Sequence, residues 1–280
     1  MTILLQVSDP HFGTEREPVV AALERFAHDL RPDVLLLSGD ITQRATHRQF
    51  RAARAFVDRL RVPEVMAIPG NHDIPLFNLA ARLFSPYGHY ERSFGRDLEP
   101  QFEDDDVLVI ALNTTRWYRH ADGEVSTAQI ERVVRRLEQA RSAQWRIVVV
   151  HQPVAVTLAQ DRENLLRGHE VAVRRWAATG VDLIVGGHIH LPFVLALHER
   201  WPALSRPVWA VQAGTAVSDR VRRGADNSVN VFRIGAAARI TGDSVNAEPR
   251  SCVIERWDHV AATQCFERVS AHPLRRSHVT

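Results

Sequence analysis

The sequence predicts an α/β fold built on a parallel sheet with helices on both faces. Three observations carry that reading. Short, continuous apolar runs recur through the first two-thirds of the chain, stretches of helical periodicity separate them, and neither pattern is interrupted by a linker, a repeat or a low-complexity segment. After residue 190 the pattern changes to short strand-like runs without a long helix, which predicts a second, mainly antiparallel β layer over 191–280 beside a motif-bearing α/β half over 1–190, all within a single domain, 1–280.

Each element follows from its own spacing. "ILLQVSD" (3–9) reads as a buried strand; Val19, Val20, Leu23, Phe26, Ala27 and Leu30 then recur at three- and four-residue intervals, as on one face of a helix. "DVLLLSGD" (33–40) is a second strand, Phe50, Ala53, Phe56, Val57 and Leu60 form a second helical stripe, and "EVMAIPG" (64–70) is a third strand. Between 74 and 106 the alternation fails in a segment rich in aromatic residues, Gly and Pro, which ends in the acidic run "EDDD" (103–106), read as a solvated turn. "VLVIALN" (107–113) resumes the pattern, Ser126 and Gln129 form a capping box opening a helix, "WRIVVVH" (145–151) is a further strand, and a helix over about 163–178 leads into "VDLIVGG". Beyond it, "FVLALH", "PVWAVQ", "SVNVFRI" and "SCVIERW" are the strand-like runs of the second layer.

Composition narrows the function classes. Across 280 residues, 35 basic side chains face 33 acidic ones, so the chain lacks the strong positive field of a nucleic-acid binder, and a polyanionic partner is not expected. Cys252 and Cys265, too few for a disulfide framework, read as reduced thiols, with a strand-to-strand disulfide as the alternative. "MTILLQVSD" carries no basic leader or cleavage site, and no run approaches the roughly 18 apolar residues of a spanning helix. A cytoplasmic protein without a membrane span is expected.

Chemistry gathers at the strand ends. The first strand is followed by Asp9-Pro-His11, the second by Gly39-Asp40, the third by Gly70-Asn71-His72-Asp73, a later one by His151-Gln-Pro153, and the last by Gly186-Gly187-His188-Ile-His190. Singly, each has a structural explanation: an Asp after a strand caps helices, "PGN" is turn chemistry, and a lone His is more often core or surface than ligand. Together they are different, because the carboxyl ends of strands in an open α/β sheet share one edge, where these side chains converge. Five of the fourteen histidines occupy these positions; the other nine, among them His28, His47, His198 and His278, are given no role. Carboxylate, amide and imidazole donors without thiolate suit Mn, Fe or Zn, and seven donors exceed what one ion takes, so two ions about 3.5 to 4 Å apart with one bridging carboxylate are implied.

D-x-H, GD, GNHD, a strand-terminal His and G-H-x-H, in this order over residues 9–190, resemble the calcineurin-like metallophosphoesterase superfamily. The resemblance implies a four-layer α/β/β/α sandwich with a binuclear metal site at the C-terminal ends of the strands. It implies Asp9, His11, Asp40 and His190 as ligands of one divalent ion, and Asp40, Asn71, His151 and His188 as ligands of the other, with Asp40 as the bridge. Two departures narrow the branch: "GDITQR" and "GNHD" differ from the GDxVDRG and GNHE of the protein phosphatases, and Gln43 stands where purple acid phosphatases have a ligating tyrosine. "AGTAVSDR" and "DNSVNVFRI" are similar to the C-terminal pattern of bacterial class III cyclic-nucleotide and glycerophosphodiester phosphodiesterases, with Arg220 and Asn227 as supporting residues.

The function so implied is hydrolysis of a phosphodiester, a 3′,5′-cyclic nucleotide among the candidates, by a metal-bridging hydroxide attacking phosphorus in line. His72 is expected to protonate the leaving alkoxide and Asp73 to orient its ring, as the two catalytic residues. Alternatives are a glycerophosphodiester, a lipid headgroup or a nucleotide pyrophosphate as substrate, or a non-catalytic binding module on the same scaffold. Tyr87, His89, Tyr90, Arg92 and "RWYRH" (116–120) either contact the substrate or pack loops against the domain. Assembly is left open between a monomer and a homodimer formed through an insertion or the C-terminal strands.

Overall fold

A computed structural model describes residues 1–222, 224–235 and 251–276; His278 lies outside them. The elements run β1 (Thr2–Val7), α1 (Glu17–Leu30), β2 (Val34–Ser38), α2 (His47–Leu60), β3 (Glu64–Ile68), α3 (Leu79–Phe84), α4 (Gly88–Phe94), β4 (Gln101–Glu103), β5 (Val107–Ala111), α5 (Thr127–Glu138), β6 (Trp145–Val149), α6 (His169–Thr179), β7 (Leu183–Gly186), β8 (Phe193–Ala196), α7 (Leu197–Arg200), β9 (Trp209–Gln212), β10 (Ser228–Gly235), β11 (Ser251–Val260) and β12 (Cys265–Leu274). Single 3₁₀ turns cover Asn71–Asp73 and Ala159–Asn164.

Two six-stranded sheets face each other. The first has the order β12-β11-β10-β1-β2-β3 and the second β4-β5-β6-β7-β9-β8. In the first, β1, β2 and β3 are parallel and β10 to β12 antiparallel; in the second, β5, β6, β7 and β9 are parallel between antiparallel edges β4 and β8. Strands buried on both faces need apolar side chains at every position, which is why their sequences read as unbroken runs. Alternate residues then serve different layers. Leu5, Leu35 and Leu37 pack outward against Val19, Leu23, Phe50 and Phe56 of α1 and α2, whereas Leu4, Val34, Leu36 and Met66 face Val109, Ile147, Val149 and Val185 of the other sheet. Leu108, Ile110, Val148 and Ile184 pack outward against Ile130, Val133, Val173 and Trp176 of α5 and α6. The result is the four-layer α/β/β/α sandwich.

The separate antiparallel layer anticipated after residue 190 is corrected. β8 and β9 complete the second sheet, while β10 to β12 extend the first by pairing β10 with β1, so the C-terminal strands are divided between the layers. The 74–106 segment holds α3, α4 and the edge strand β4, and "EDDD" turns the chain from β4 into β5, with Asp104 Oδ1 accepting from the amides of Asp106 and Val107. The capping box at α5 forms, Gln129 N–H donating to Ser126 Oγ at 3.2 Å and Ser126 N–H to Gln129 Oε1 at 3.0 Å. Cys252 is buried and Cys265 exposed, and their strand partners are Leu274 and Val260, so both thiols are free.

Candidate metal centre

β1, β2 and β3 of one sheet and β6 and β7 of the other end at a common rim, where the predicted donors meet. Three overlapping groups form, Asp9, His11 and His190; His11, Asp40 and His72; and Asp40, His151 and His188, the donor atoms of each lying within 4.8 Å of one another. Asp40 joins them. Its Oδ2 stands 3.8 Å from His11 Nε2 and its Oδ1 3.3 Å from His151 Nε2, so the two oxygens of one carboxylate face the two ends of the cluster. Asn71 Oδ1 lies 3.3 Å from His151 Nε2, and His190 Nε2 lies 3.3 Å from Asp9 Oδ1 and 3.1 Å from His11 Nε2. Asp9, His11, Asp40, His188 and His190 all adopt positive φ, between 43° and 73°, a region costly for residues with a side chain and concentrated at functional sites. Two glycines permit the close approach: a Cβ on Gly187 would collide with Ser8 Oγ and the Asp9 carboxylate, and one on Gly39, itself at φ 95°, with the His151 ring.

Backbone carbonyls set the imidazoles. His151 Nδ1–H donates to Ser38 O at 2.9 Å, His190 Nδ1–H to Arg220 O at 2.8 Å and His72 Nδ1–H to Gln43 O at 3.1 Å; since a carbonyl can only accept, each Nε2 is directed at the cluster. Asp9 accepts from Ser8 Oγ at 2.6 Å and from His188 N–H at 2.9 Å, Thr215 Oγ1 donates to its carbonyl, and Asp40 Oδ1 accepts from His72 N–H at 2.8 Å.

Electrostatics show what the cluster lacks. Burial works against charge on Asp9, yet His190 pulls its pKa down to about 2; Asp40 is likewise buried and held well below the usual carboxylate range, chiefly by His151. Burial also opposes the charge of His151 and His190, but Asp40 raises the first to about 9 and Asp9 raises the second. Burial holds His11 at about 3 and His188 at about 4, both neutral, and the Nδ1 atoms of these two rings are buried without a hydrogen-bond partner. Two carboxylates thus draw protons onto two imidazoles while two others keep unsatisfied nitrogens. Oxygen and nitrogen donors with this unmet demand for positive charge fit divalent cations.

Residues 3–192 match the calcineurin-like phosphoesterase family. The chain belongs to that family. A "Probable cyclic nucleotide phosphodiesterase" of Synechococcus is 28% identical over 203 residues, 68% of this chain and 74% of that protein. A "Probable glycerophosphodiester phosphodiesterase GpdQ" of Arcobacter nitrofigilis is 27% identical over 162 residues, 57% of each chain. Among solved structures, a dimetal phosphatase from Danio rerio superposes with a TM-score of 0.66 at 13% identity over 99% of both chains. The yellow lupin purple acid phosphatase PPD1 gives 0.71 at 12% identity, over 99% of this chain and 54% of that one. These likenesses show the fold, and the family makes the chain a phosphoester hydrolase with a metal-dependent site.

Within this phosphoesterase the seven predicted ligands and His72 all reach the cluster. Asp73 does not orient the His72 ring. Its carboxylate accepts from the amides of Ile41, Thr42 and Gly70 and from Thr42 Oγ1, clamping the loop after β2 to the loop after β3. Burial and neighbouring Asp40 push its pKa to about 7 against those bonds. The orienting partner of His72 is the Gln43 carbonyl, a backbone group with no sequence signature. Arg220 proves more central than its soft motif suggests: its carbonyl holds His190, and its guanidinium meets Gln43 Oε1 at 2.9 Å and His72 Nε2 at 3.1 Å. Ser8 and Thr42 were not singled out by sequence reasoning, although each adjoins a strand-end motif. Tyr90 is a core residue, its hydroxyl donating to Ala67 O at 2.6 Å, and Tyr87 fastens its loop to Thr115; Trp117 and Tyr118 are exposed.

Proposed function

We propose that this phosphoesterase hydrolyses phosphodiesters with two divalent ions, one held by Asp9, His11, Asp40 and His190 and the other by Asp40, Asn71, His151 and His188. The observation that carries the reading is Asp40, whose two oxygens face opposite histidines of one buried cluster. Bound there, Mn, Fe or Zn ions would supply an acidified water and offset charge on the phosphoryl oxygens.

The chain's own residues supply the rest. Asp9 and Asp40 keep the rim anionic, and the carbonyls of Ser38 and Arg220 hold His151 and His190 with Nε2 inward. His72, fixed by Gln43 O, presents Nε2 at the margin of the cluster and passes a proton from it to the departing alkoxide. Two N–H groups cannot face each other at 3.1 Å, so the Arg220 guanidinium gives up this contact when His72 carries that proton.

A diester substrate is supported by the names of the two curated relatives, and a 3′,5′-cyclic nucleotide and a glycerophosphodiester are the two candidates they suggest. Free thiols at Cys252 and Cys265 fit a reducing, cytoplasmic setting. Hydrolysis of bis(4-nitrophenyl) phosphate with added Mn, Fe or Zn, abolished by a chelator and restored by metal, is the expected result. Absence of turnover with every metal would favour a binding module instead.

A further inference from the structure

The loops that bring Asp40, Asn71 and His72 to the rim continue past them and enclose a second space. The segment between β2 and α2 runs from Asp40 through Gln43, whose carbonyl holds His72, directly into Arg44, Thr46 and His47; the segment after β3 runs from Asp73 into Pro75 and Phe77. Between them lies a cavity of about 510 Å³, closed on a third side by His89 of α4. That volume accommodates one arm of a small ligand.

We propose that this cavity is the subsite for an aromatic ring carried by the diester, a nucleobase, so that nucleotides are selected over choline- or glycerol-type esters; the proposal rests on the diesterase reading above. Its walls are planar and basic. The Arg44 guanidinium lies 5.3 Å above the Phe77 ring, Phe77 is 79% exposed with little else covering it, and the rings of His47 and His89 stand 5.9 Å apart. Aromatic and guanidinium planes offer stacking to any base, which has a π-face irrespective of its edge. The lining contains no carboxylate. A quaternary ammonium or ethanolamine headgroup would meet the Arg44 guanidinium and no counter-charge. A glycerol arm would leave the apolar walls of Pro75 and Phe77 wet. Continuity with the cluster adds geometry: Arg44 directly follows Gln43, whose carbonyl holds His72, so an arm of the substrate that leaves the phosphorus past His72 is directed toward Arg44.

The test uses manganese-loaded full-length chain with Phe77→Ala and Arg44→Ala, both at the rim of the cavity and outside the ligand set. Kinetics are measured on adenosine 3′,5′-cyclic phosphate and on glycerophosphocholine, and titration calorimetry on adenosine 5′-monophosphate and inorganic phosphate. Loss of one stacking partner should raise the KM for the cyclic nucleotide and the Kd for the monophosphate about tenfold, with manganese content, inorganic phosphate affinity and the glycerophosphocholine constants unchanged within about twofold. Equal effects on both esters, no effect on either, or a loss confined to glycerophosphocholine overturns the subsite. So does a wild type that hydrolyses glycerophosphocholine but not the nucleotide. In those cases turnover of bis(4-nitrophenyl) phosphate leaves the diesterase reading standing, whereas a wild type without activity on any diester removes both.

Discussion

Asp40→Asn isolates charge from shape. The amide keeps the size of the carboxylate and an oxygen to accept from His72 N–H, 2.8 Å away in the native protein, so the loops after β2 and β3 should hold their places. What disappears is one negative charge, with His151 Nε2 3.3 Å away on one side and His11 Nε2 3.8 Å away on the other. At about 4 Å and an effective dielectric of about 20, each unit charge pair is worth about 4 kcal/mol, or about a thousandfold in affinity. Because Asp40 faces both halves of the cluster, the loss should fall on both ions. Elemental analysis after equilibrium dialysis against micromolar Mn should give below one ion per chain in place of two. In the metal-free protein a second signature is expected: without Asp40 the largest influence raising His151 is gone, and its pKa falls from about 9, which a histidine-resolved NMR titration reads. Two ions retained with affinity within about tenfold of wild type would refute the bridge, since no surface-screened carboxylate accounts for so small a change once buried.

Other consequences can be measured separately. His72→Ala should lower turnover of an aryl diester by about 10²- to 10⁴-fold with metal content intact, as loss of a proton donor predicts; parallel loss of metal would make His72 a ligand, which its membership of the His11 and Asp40 group allows. Metal uptake at pH 7 should release protons, because His151, raised to about 9, carries one in the metal-free protein, so calorimetry in buffers of different ionisation enthalpy should differ and affinity should climb with pH. The metal-free fold should lose stability as pH falls below 6.5. His11 and His188 stay neutral in the folded chain down to about 3 and 4 while the unfolded chain takes up their protons from about 6.5 downward; these two outweigh the one proton that Asp73, raised to about 7, holds only in the folded chain, so unfolding gains about one proton net across that window. A urea midpoint flat between pH 7 and 4.5 would contradict the burial of both rings. Gln6→Leu should destabilise by about 1–3 kcal/mol in urea unfolding, since it strips partners from the Gly186 carbonyl and from Asn230 inside the sandwich.

What the sequence revealed and what it hid divide along physical lines. Interior strands such as "VLLLS" in β2 and "LIVG" in β7 were legible because burial on both faces forces a run of apolar residues, and the α5 capping box because its chemistry is local to four positions. The strand-end donors were legible because Asp, Asn and His at five such places answer no folding requirement. β12 was not: as an edge strand it is mostly exposed, lacks apolar alternation, and tolerates Pro273 where an interior strand would not. β4, three residues long, offers too little pattern to detect. The pairing of β10 with β1 joins positions more than 220 residues apart, and periodicity says nothing about partners. The contact that turns His72 was hidden for a different reason, since any residue at position 43 supplies a carbonyl.

The cluster's dependence on both sheets explains a polar seam in the apolar interface between them. Asp9, Asp40 and Asn71 descend from one sheet, His151, His188 and His190 from the other, so each half of the site exists only if the two sheets meet in one register. Leucine and valine packing tolerates a slide of part of a residue, because dispersion has no direction. Directed bonds do not. Gln6 Nε2 of β1 donates to Gly186 O of β7 and to Ser38 Oγ of β2 at 3.0 Å, Asn230 Nδ2 donates to Gln6 Oε1 at 2.9 Å, and Gln212 Nε2 donates to Gly187 O, beside the two cluster histidines. All three amides are almost fully buried, where an unmade bond is costly, and two of their bonds, Gln6 Nε2 to Gly186 O and Asn230 Nδ2 to Gln212 O at 3.4 Å, cross between the sheets, so a slide breaks both. The seam lies immediately beneath Asp9 and His188, the place where a displacement of an ångström would separate donors now within 4.8 Å, and its cost in buried polar groups is what a site assembled across two layers requires.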